Sequence, residues 1–485
     1  MSKPGLFATL PIDELQRDYG SGSLKRSLGA GALTALGIGA TIGTGIFVLT
    51  GTVAATHAGP AIILSFVVAG LGCIFAGLCY AEFASMVPVA GSAYAYSYAT
   101  LGEFIAWFVG WNLVLEYMFA AATVAVGWSR YFVTLLETFH VNFLPHTLTS
   151  SPLNTVGDTA NIAATGSLIN LPAVFIALLI TYVCYVGIRQ SALVNNIVVA
   201  IKVTIVVAVI AFGAFYVNPS NWHPFIPPNT GTFGTFGWSG VLRASGIIFF
   251  AYVGFDAVST AAQEARNPSR DMPVGILGGL VVCTVLYILM SGVLTGLLAY
   301  PLLNDAAPVA VALGAHPQLS WLRIWVIVGA LAGLTSVILV QMLAQARIFL
   351  SMSHHGLLPK ALGKVHPRFR TPSVATLLTG AAAALASGLL PLGLLGELVS
   401  IGTLIAFIVV CVGVLVLRQT RPELHRPFRV PAVWPVAIGG ILICLVMVAF
   451  LPLGTWVRLI VWTALGLVIY WAYGYRNSRL RSAAE

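Results

Sequence analysis

Apolar residues run through this chain in long unbroken stretches and do not alternate with polar ones. No Asp, Glu, Lys or Arg occurs from Ser27 to Ala81, Val203 to Leu242, Met272 to Asn304, Thr371 to Gly396 or Val430 to Val457. A helix that crosses the hydrocarbon core of a bilayer needs about 20 mostly apolar residues. The pattern predicts an all-α membrane protein with about twelve spans. They lie near 31–55, 61–85, 104–133, 170–189, 193–217, 239–262, 274–299, 321–346, 373–390, 396–417, 434–453 and 456–475. The first charge-free stretch is long enough for two spans, and His57-Ala58-Gly59-Pro60 supplies the turn between them. The stretch from Val141 to Asn170 is rich in Ser, Thr, Asn and Pro and reads as an irregular loop.

Composition agrees with this reading. The 485 residues are 58% hydrophobic and 8% charged, where a soluble domain carries about 25% charged residues. The net charge of +9 could suggest nucleic acid, but its distribution follows the spans. Nineteen of the 24 Lys and Arg fall on the side that holds both termini, Lys3, Arg17, Lys25, Arg26 and Arg189 among them. Arg130, Arg243, Arg323 and Arg458 lie near helix ends on the other side, and Lys202 lies inside a span. This positive-inside bias places both termini in the cytoplasm and the chain in the plasma membrane, with no nucleic-acid partner. The six cysteines all fall inside spans and imply no disulfide framework. Residues 1–26 lack the apolar core and cleavage site of a signal peptide. The longest basic loop, Arg347 to Arg370, carries His354-His355; adjacent positions face apart, so the doublet reads as solvated and not as a metal site. No nucleotide loop or paired-Cys zinc pattern is present, so neither an enzyme, a cofactor nor ATP-driven pumping is implied.

Two spans are unsuited to ordinary lipid-facing helices. The first contains Gly37, Gly39, Gly43 and Gly45 within nine residues. Each glycine weakens a helix interior by up to about 1 kcal/mol relative to Ala. The sixth carries Gly254 and Asp256 near mid-span, after Phe249-Phe250-Ala251-Tyr252-Val253. Glycines also serve close helix packing, so the glycines alone leave both readings open. The two odd spans are however the first and the sixth, the spacing of two five-helix inverted repeats with broken first helices and a midplane substrate site. A broken helix exposes backbone N–H groups that bind a carboxylate and carbonyls that accept from an ammonium. The stretch Thr41, Ile42, Gly43, Thr44, Gly45 supplies the amides, and the Phe250, Ala251 and Val253 carbonyls the acceptors, which together suit a zwitterion. Asp256 reads as a cap on the second half-helix.

Charges inside spans are functional by default. Lys202 lies nine residues into its span, about 13 Å at helical rise. It either snorkels to the interface or stays desolvated and exchanges a proton during transport. Glu116 either lines the cytoplasmic half of the path or pairs with a neighbouring helix. Glu82 ends the second span and reads equally as interfacial.

At these residues the chain resembles the amino acid–polyamine–organocation superfamily, and within it bacterial relatives of the cationic amino acid transporters. The resemblance rests on Gly37–Phe47, Gly110–Tyr117, Phe249–Asp256 followed by Glu264–Pro268, Ala346–Phe349 leading to Gly356–Pro359, Ser400–Leu404 and Phe428–Pro431. It implies a leucine-transporter-like fold of ten core helices plus two, working by alternating access. It implies substrate carboxylate at the Thr44 and Gly45 amides and ammonium at backbone atoms of Thr41, Phe250, Ala251 and Val253. In proton-coupled relatives a fifth-helix lysine stands where sodium-dependent ones bind sodium, and Lys202 matches it. Gln263-Glu264 departs from the paired acids of many relatives.

The chain then divides into a cytoplasmic segment 1–26, a first repeat 27–217, a second repeat 218–417, two further helices over 418–475 and a tail 476–485. The expected function is proton-coupled amino acid import, with amino acid, protons and membrane lipid as partners; a small accessory membrane subunit is left open. The mostly apolar stretch Gly333–Ile338 favours small neutral amino acids. Alternatives are an amino acid or polyamine exchanger, a cationic amino acid transporter and, from another class, a receptor that binds an amino acid without moving it.

Overall fold

The computed structural model describes residues 5–12, 15, 27–87, 89, 91–141, 143–155, 161–187, 192–305 and 307–482. Lys3, Arg17, Lys25, Arg26 and Arg189, and the last residues of the 476–485 tail, lie outside the described residues. Helices dominate. The first apolar stretch forms α1 (Ala30–Thr41), a helical segment α2 over 45–58 with π-type turns at both ends, and α3 (Ile62–Met86). Gly59, at φ +58°, turns the chain between α2 and α3. There follow α4 (Ser92–Thr100), α5 (Glu103–Thr138), α6 (Leu171–Val186) and α7 (Ala192–Gly213). Next come α8 (Gly237–Ile248), the short α9 (Ala257–Thr260), α10 (Pro268–Leu297), α11 (Pro308–Gly314) and α12 (Ser320–His354). The chain ends with α13 (Ser373–Leu389), α14 (Leu392–Thr420), α15 (Val433–Phe450) and α16 (Leu453–Ile469).

Among the described residues nine helical stretches are long and apolar enough to cross a membrane, and α1, α6 and α13 are shorter apolar helices. Their outward faces carry an apolar belt. Val281, Val285 and Leu289 of α10, Leu442, Leu445 and Val446 of α15, and Ile460, Val461, Leu465 and Val468 of α16 are all exposed. Such a belt is costly in water and natural in lipid. α5 is the central post, packed against α12 and α14, while α10 lies against α1 and α3. Local chemistry sets some ends. The Asn170 side chain caps α6 by accepting from the Ala173 amide at 3.3 Å, with Pro172 in the first turn.

Both described terminal segments pack on one end of α5. The Glu103 and Phe104 amides donate to Ala8 and Leu6 at 3.0 and 3.1 Å. The buried Glu103 carboxylate accepts from Tyr470 at 2.9 Å, from Tyr98 at 3.2 Å, and from Ser478 and Arg481 of the C-terminal segment.

Several expectations are corrected. The Val141–Asn170 stretch is not wholly irregular: β1 (Leu153–Thr155) pairs antiparallel with β2 (Ile162–Ala164). Three-residue strands leave too short an apolar alternation to read. α12 runs on to His354, so the loop after it begins later than Arg347. His354 is exposed, but His355 is buried, with Nδ1 at 2.8 Å from the Tyr94 hydroxyl. The doublet is therefore not solvated as a pair; its second member is packed between Tyr94 and Tyr98. Glu82, at the end of α3, is packed inside the protein at 2% exposed, accepting from Arg418 at 2.9 and 2.6 Å and from the Val430 amide at 2.8 Å.

Candidate functional site: two interrupted helices and a buried lysine

α1 stops at Thr41 because Ile42 turns extended (φ −70°, ψ 100°), and the helix resumes at Gly45. A helix start leaves up to four N–H groups without intrahelical acceptors, and a helix end leaves as many carbonyls without donors. The interruption therefore presents amides around Gly43, Thr44 and Gly45 and carbonyls at the end of α1. α8 is interrupted in the same way. Phe249–Tyr252 tighten into a 3₁₀ turn, Val253 is extended at ψ 130°, and helix resumes at Ala257. Gly254 sits at φ +116°, and a Cβ there would lie 2.7 Å from the Ala40 carbonyl oxygen. Only glycine fits that backbone and that approach.

The two interruptions touch. A Cβ built on Gly45 would collide with Cα and Cβ of Ala251. Between them stands Tyr287 of α10, whose hydroxyl lies 2.9 Å from the Thr41 carbonyl and 2.8 Å from the Ala251 carbonyl. Its single proton serves one of them at a time. Its ring is fixed by Phe66 and Tyr252, with centroids 5.5 and 5.3 Å away. Of the carbonyls expected to hold an ammonium group, Thr41 and Ala251 thus converge, whereas that of Phe250 already accepts from the Val253 amide at 3.1 Å. Thr44 Oγ1 is fully buried and makes no hydrogen bond among the described residues. Buried polar atoms are normally satisfied, so an orphan here marks a place for a ligand. Thr44 packs on Gly127 of α5, where a Cβ would lie 2.7 Å from its Oγ1. Gly43 faces Val337 of α12 at 3.3 Å by the same measure, so that wall is apolar.

Lys202, on α7, does not snorkel. It is 0% exposed, and its Nζ donates to the Gly39 carbonyl at 2.7 Å and the Ile42 carbonyl at 3.1 Å. These carbonyls sit at the broken end of α1, where the helix dipole is negative. Its alkyl chain lies along Gly333 of α12, where a Cβ would approach Cε to 2.9 Å.

Asp256 precedes α9 but its side chain makes no capping bond. It accepts instead from the Tyr117 hydroxyl, with Oδ1 unpartnered among the described residues. The αR backbone at Asp256 (φ −67°, ψ −26°) is not the extended conformation a cap needs. Glu116 is fully buried beside Asp256, a juxtaposition the sequence did not suggest. On the side of the chain termini, the segment before α1 is tied to the one after α9, and that one to α12. The Ser27 and Leu28 amides donate to the Glu264 carbonyl at 3.0 and 2.9 Å, and Arg347 pairs with the Glu264 carboxylate at 3.4 Å. Sequence reasoning gave Tyr287, Gly127 and Tyr117 no role at the site, and Tyr287 could not be placed because its partners are backbone carbonyls of distant segments.

The profile of the amino acid permease family matches residues 28–472. The chain is 48% identical over 481 residues to the branched-chain amino acid permease BcaP of Bacillus subtilis (strain 168), covering 99% of each chain. It is 47% identical over 475 residues to the methylthioribose transporter of the same organism, covering 98% of this chain and 99% of that one. It is 38% identical over 409 residues to the vacuolar cationic amino acid transporter 4 of Arabidopsis thaliana, covering 84% of this chain and 66% of that one.

Proposed function

The chain belongs to the amino acid permease family and is a multi-pass membrane transporter, not an enzyme; from that premise we propose that it imports neutral amino acids by proton symport and alternating access. The observation that carries this reading is the buried Lys202 ammonium on the Gly39 and Ile42 carbonyls, at the interrupted end of α1. A charged donor binds carbonyls more strongly than a neutral one. Proton loss from Lys202 would loosen α7 from α1, and helix motion at the break would then follow the proton.

The substrate zwitterion would lie at the two interruptions. Its carboxylate would take the amides at Gly43, Thr44 and Gly45. Its ammonium would displace the Tyr287 hydroxyl from the Thr41 and Ala251 carbonyls, with Val253 and Phe250 completing that side. Gly254 and Asp256 shape the second break, and Glu116 beside Asp256 is the second candidate for proton coupling. The apolar wall at Val337 suits a small neutral side chain better than a cationic one. The relative named for branched-chain amino acids supports the same class.

The nine long apolar stretches and three shorter ones support twelve spans, because Gly45–Met86 holds the rest of the first span and the whole of the second. Two interruptions that meet in the first and sixth spans support two inverted repeats over 27–217 and 218–417. The basic side, with both termini, is placed in the cytoplasm and the chain in the plasma membrane.

The test is uptake by reconstituted protein of labelled alanine, serine, valine, leucine, lysine, putrescine and methylthioribose, with and without an inward proton gradient. Neutral amino acids should accumulate only with the gradient. Uptake that requires internal amino acid and ignores the gradient would make the protein an exchanger, and binding without uptake would make it a receptor.

A further inference from the structure

At the end of α5 away from both chain termini lies a cavity of about 470 Å³. Its size falls within the range of small-molecule sites. Its floor includes Val126, and its wall carries Arg130, Glu137, His146 and Asp305. Val126 is next to Gly127, the residue packed on Thr44. Arg130 is one turn further along α5, so Val126 and Arg130 share a face. The cavity therefore sits on the helical turn that covers the amides at the first interruption, about 5 Å along the helix axis from it.

Arg130 is half-buried, yet it forms no ion pair within 4.0 Å among the described residues. Asp305 is the carboxylate that faces it, and Asp305 Oδ1 is turned toward the Ala307 amide at 2.9 Å. Guanidinium presents a planar fork that matches a carboxylate bidentately. One unpaired guanidinium with two carboxylates on the same wall is the charge pattern of a zwitterion read in reverse.

We propose that this cavity is an access subsite, in which Arg130 takes the α-carboxylate of an incoming amino acid while its ammonium points to Asp305 and Glu137. The solute then descends past Val126 to the interrupted helices. The inference rests on the amino acid uptake reading and adds a selection step to it: a solute without a carboxylate gains nothing from Arg130. The bland alternative is that Arg130 only anchors the end of α5 in the headgroup region.

The test is KM for a labelled neutral amino acid in oriented proteoliposomes, measured for influx through the face that bears the cavity and for efflux through the other. Arg130→Gln should raise the influx KM about tenfold, with influx kcat within about twofold of the parent. Because the gradient alone fixes the ratio of kcat/KM in the two directions, efflux kcat/KM should fall by the same factor through a lower efflux kcat, with efflux KM within about twofold. Arg130→Lys should recover most of the influx affinity. An unchanged influx KM in Arg130→Gln would overturn the subsite, as would an equal rise in both directions, which a purely structural role predicts. Should that variant fail to reach the membrane, Glu137→Gln/Asp305→Asn at exposed positions provides the second reading: a raised influx KM supports the subsite, and an unchanged one overturns it. Failure of the parent itself to accumulate any amino acid would instead defeat the uptake reading, so the two failures are distinguishable.

Discussion

Tyr287 holds the empty site together with a hydroxyl that a substrate ammonium would replace. Removing it leaves the buried Thr41 and Ala251 carbonyls without that donor, a loss of about 1–3 kcal/mol. Tyr287→Phe should therefore unfold at lower temperature than the parent when empty, and regain most of the difference when amino acid is bound. The six buried thiols make a thiol-reactive dye a suitable reporter of that transition. An equal loss with and without substrate would contradict the replacement. Gly333→Ala addresses Lys202 from the other side. The added Cβ meets the flexible end of Lys202 at 2.9 Å, so the fold should tolerate it while Nζ is pushed from its carbonyls. Proton-driven accumulation should fall severalfold, with unchanged folded yield. At this scale the sequence was partly readable. Lys202 stood out because a charge among apolar neighbours is conspicuous. Its partners did not, because they are backbone carbonyls some 160 positions away. Tyr287 was hidden for the same reason, and His355 was misread because its burial comes from Tyr94 and Tyr98, not from its own loop.

Elements were legible where their cause is local. Long apolar runs located the helices, glycine density located the first interruption, and Gly254 with Asp256 near mid-span located the second. Where an end depends on contact the reading stopped short, as at α12, which continues to His354. The meeting of the two interruptions was not visible in sequence. Gly45→Val would do more than screen the amides from a carboxylate, because any Cβ there displaces Ala251. Even Gly45→Ala should cost about 1–3 kcal/mol of stability, as overpacking does, and should shift substrate binding together with melting temperature. Normal melting with normal binding would remove the contact from the account. Glu82 joins the end of α3 to α14 and to the Val430 backbone, so Glu82→Ala leaves buried Arg426 and partly buried Arg418 uncompensated. Breaking such a buried pair costs about 3–5 kcal/mol, measurable as loss of folded protein in mild detergent. Survival of Glu82→Ala with unchanged melting would mean that the cluster is only surface screening.

For the whole molecule, the packing of both described terminal segments on one end of α5 puts them on the same side, and the basic side chains are the ground for proposing that this side is cytoplasmic. In a background whose native cysteines are buried, Ser150→Cys should react with an impermeant maleimide from outside and Arg370→Cys should not. The reverse pattern would invert the topology. What composition could not supply is how the helices bring Lys202, the end of α1 and the second interruption into one place, since that rests on packing between distant segments. That arrangement is the centre of the account, and it is tested most directly by accumulation in Lys202→Ala. Equal amounts of folded parent and variant are reconstituted, and uptake of a neutral amino acid is followed across a range of external pH under an inward proton gradient. Lys202→Ala should still bind substrate but lose accumulation and its pH dependence. If it concentrates substrate to the parent's level with the parent's pH profile, Lys202 does not couple proton to transport, and the role passes to Glu116 beside Asp256.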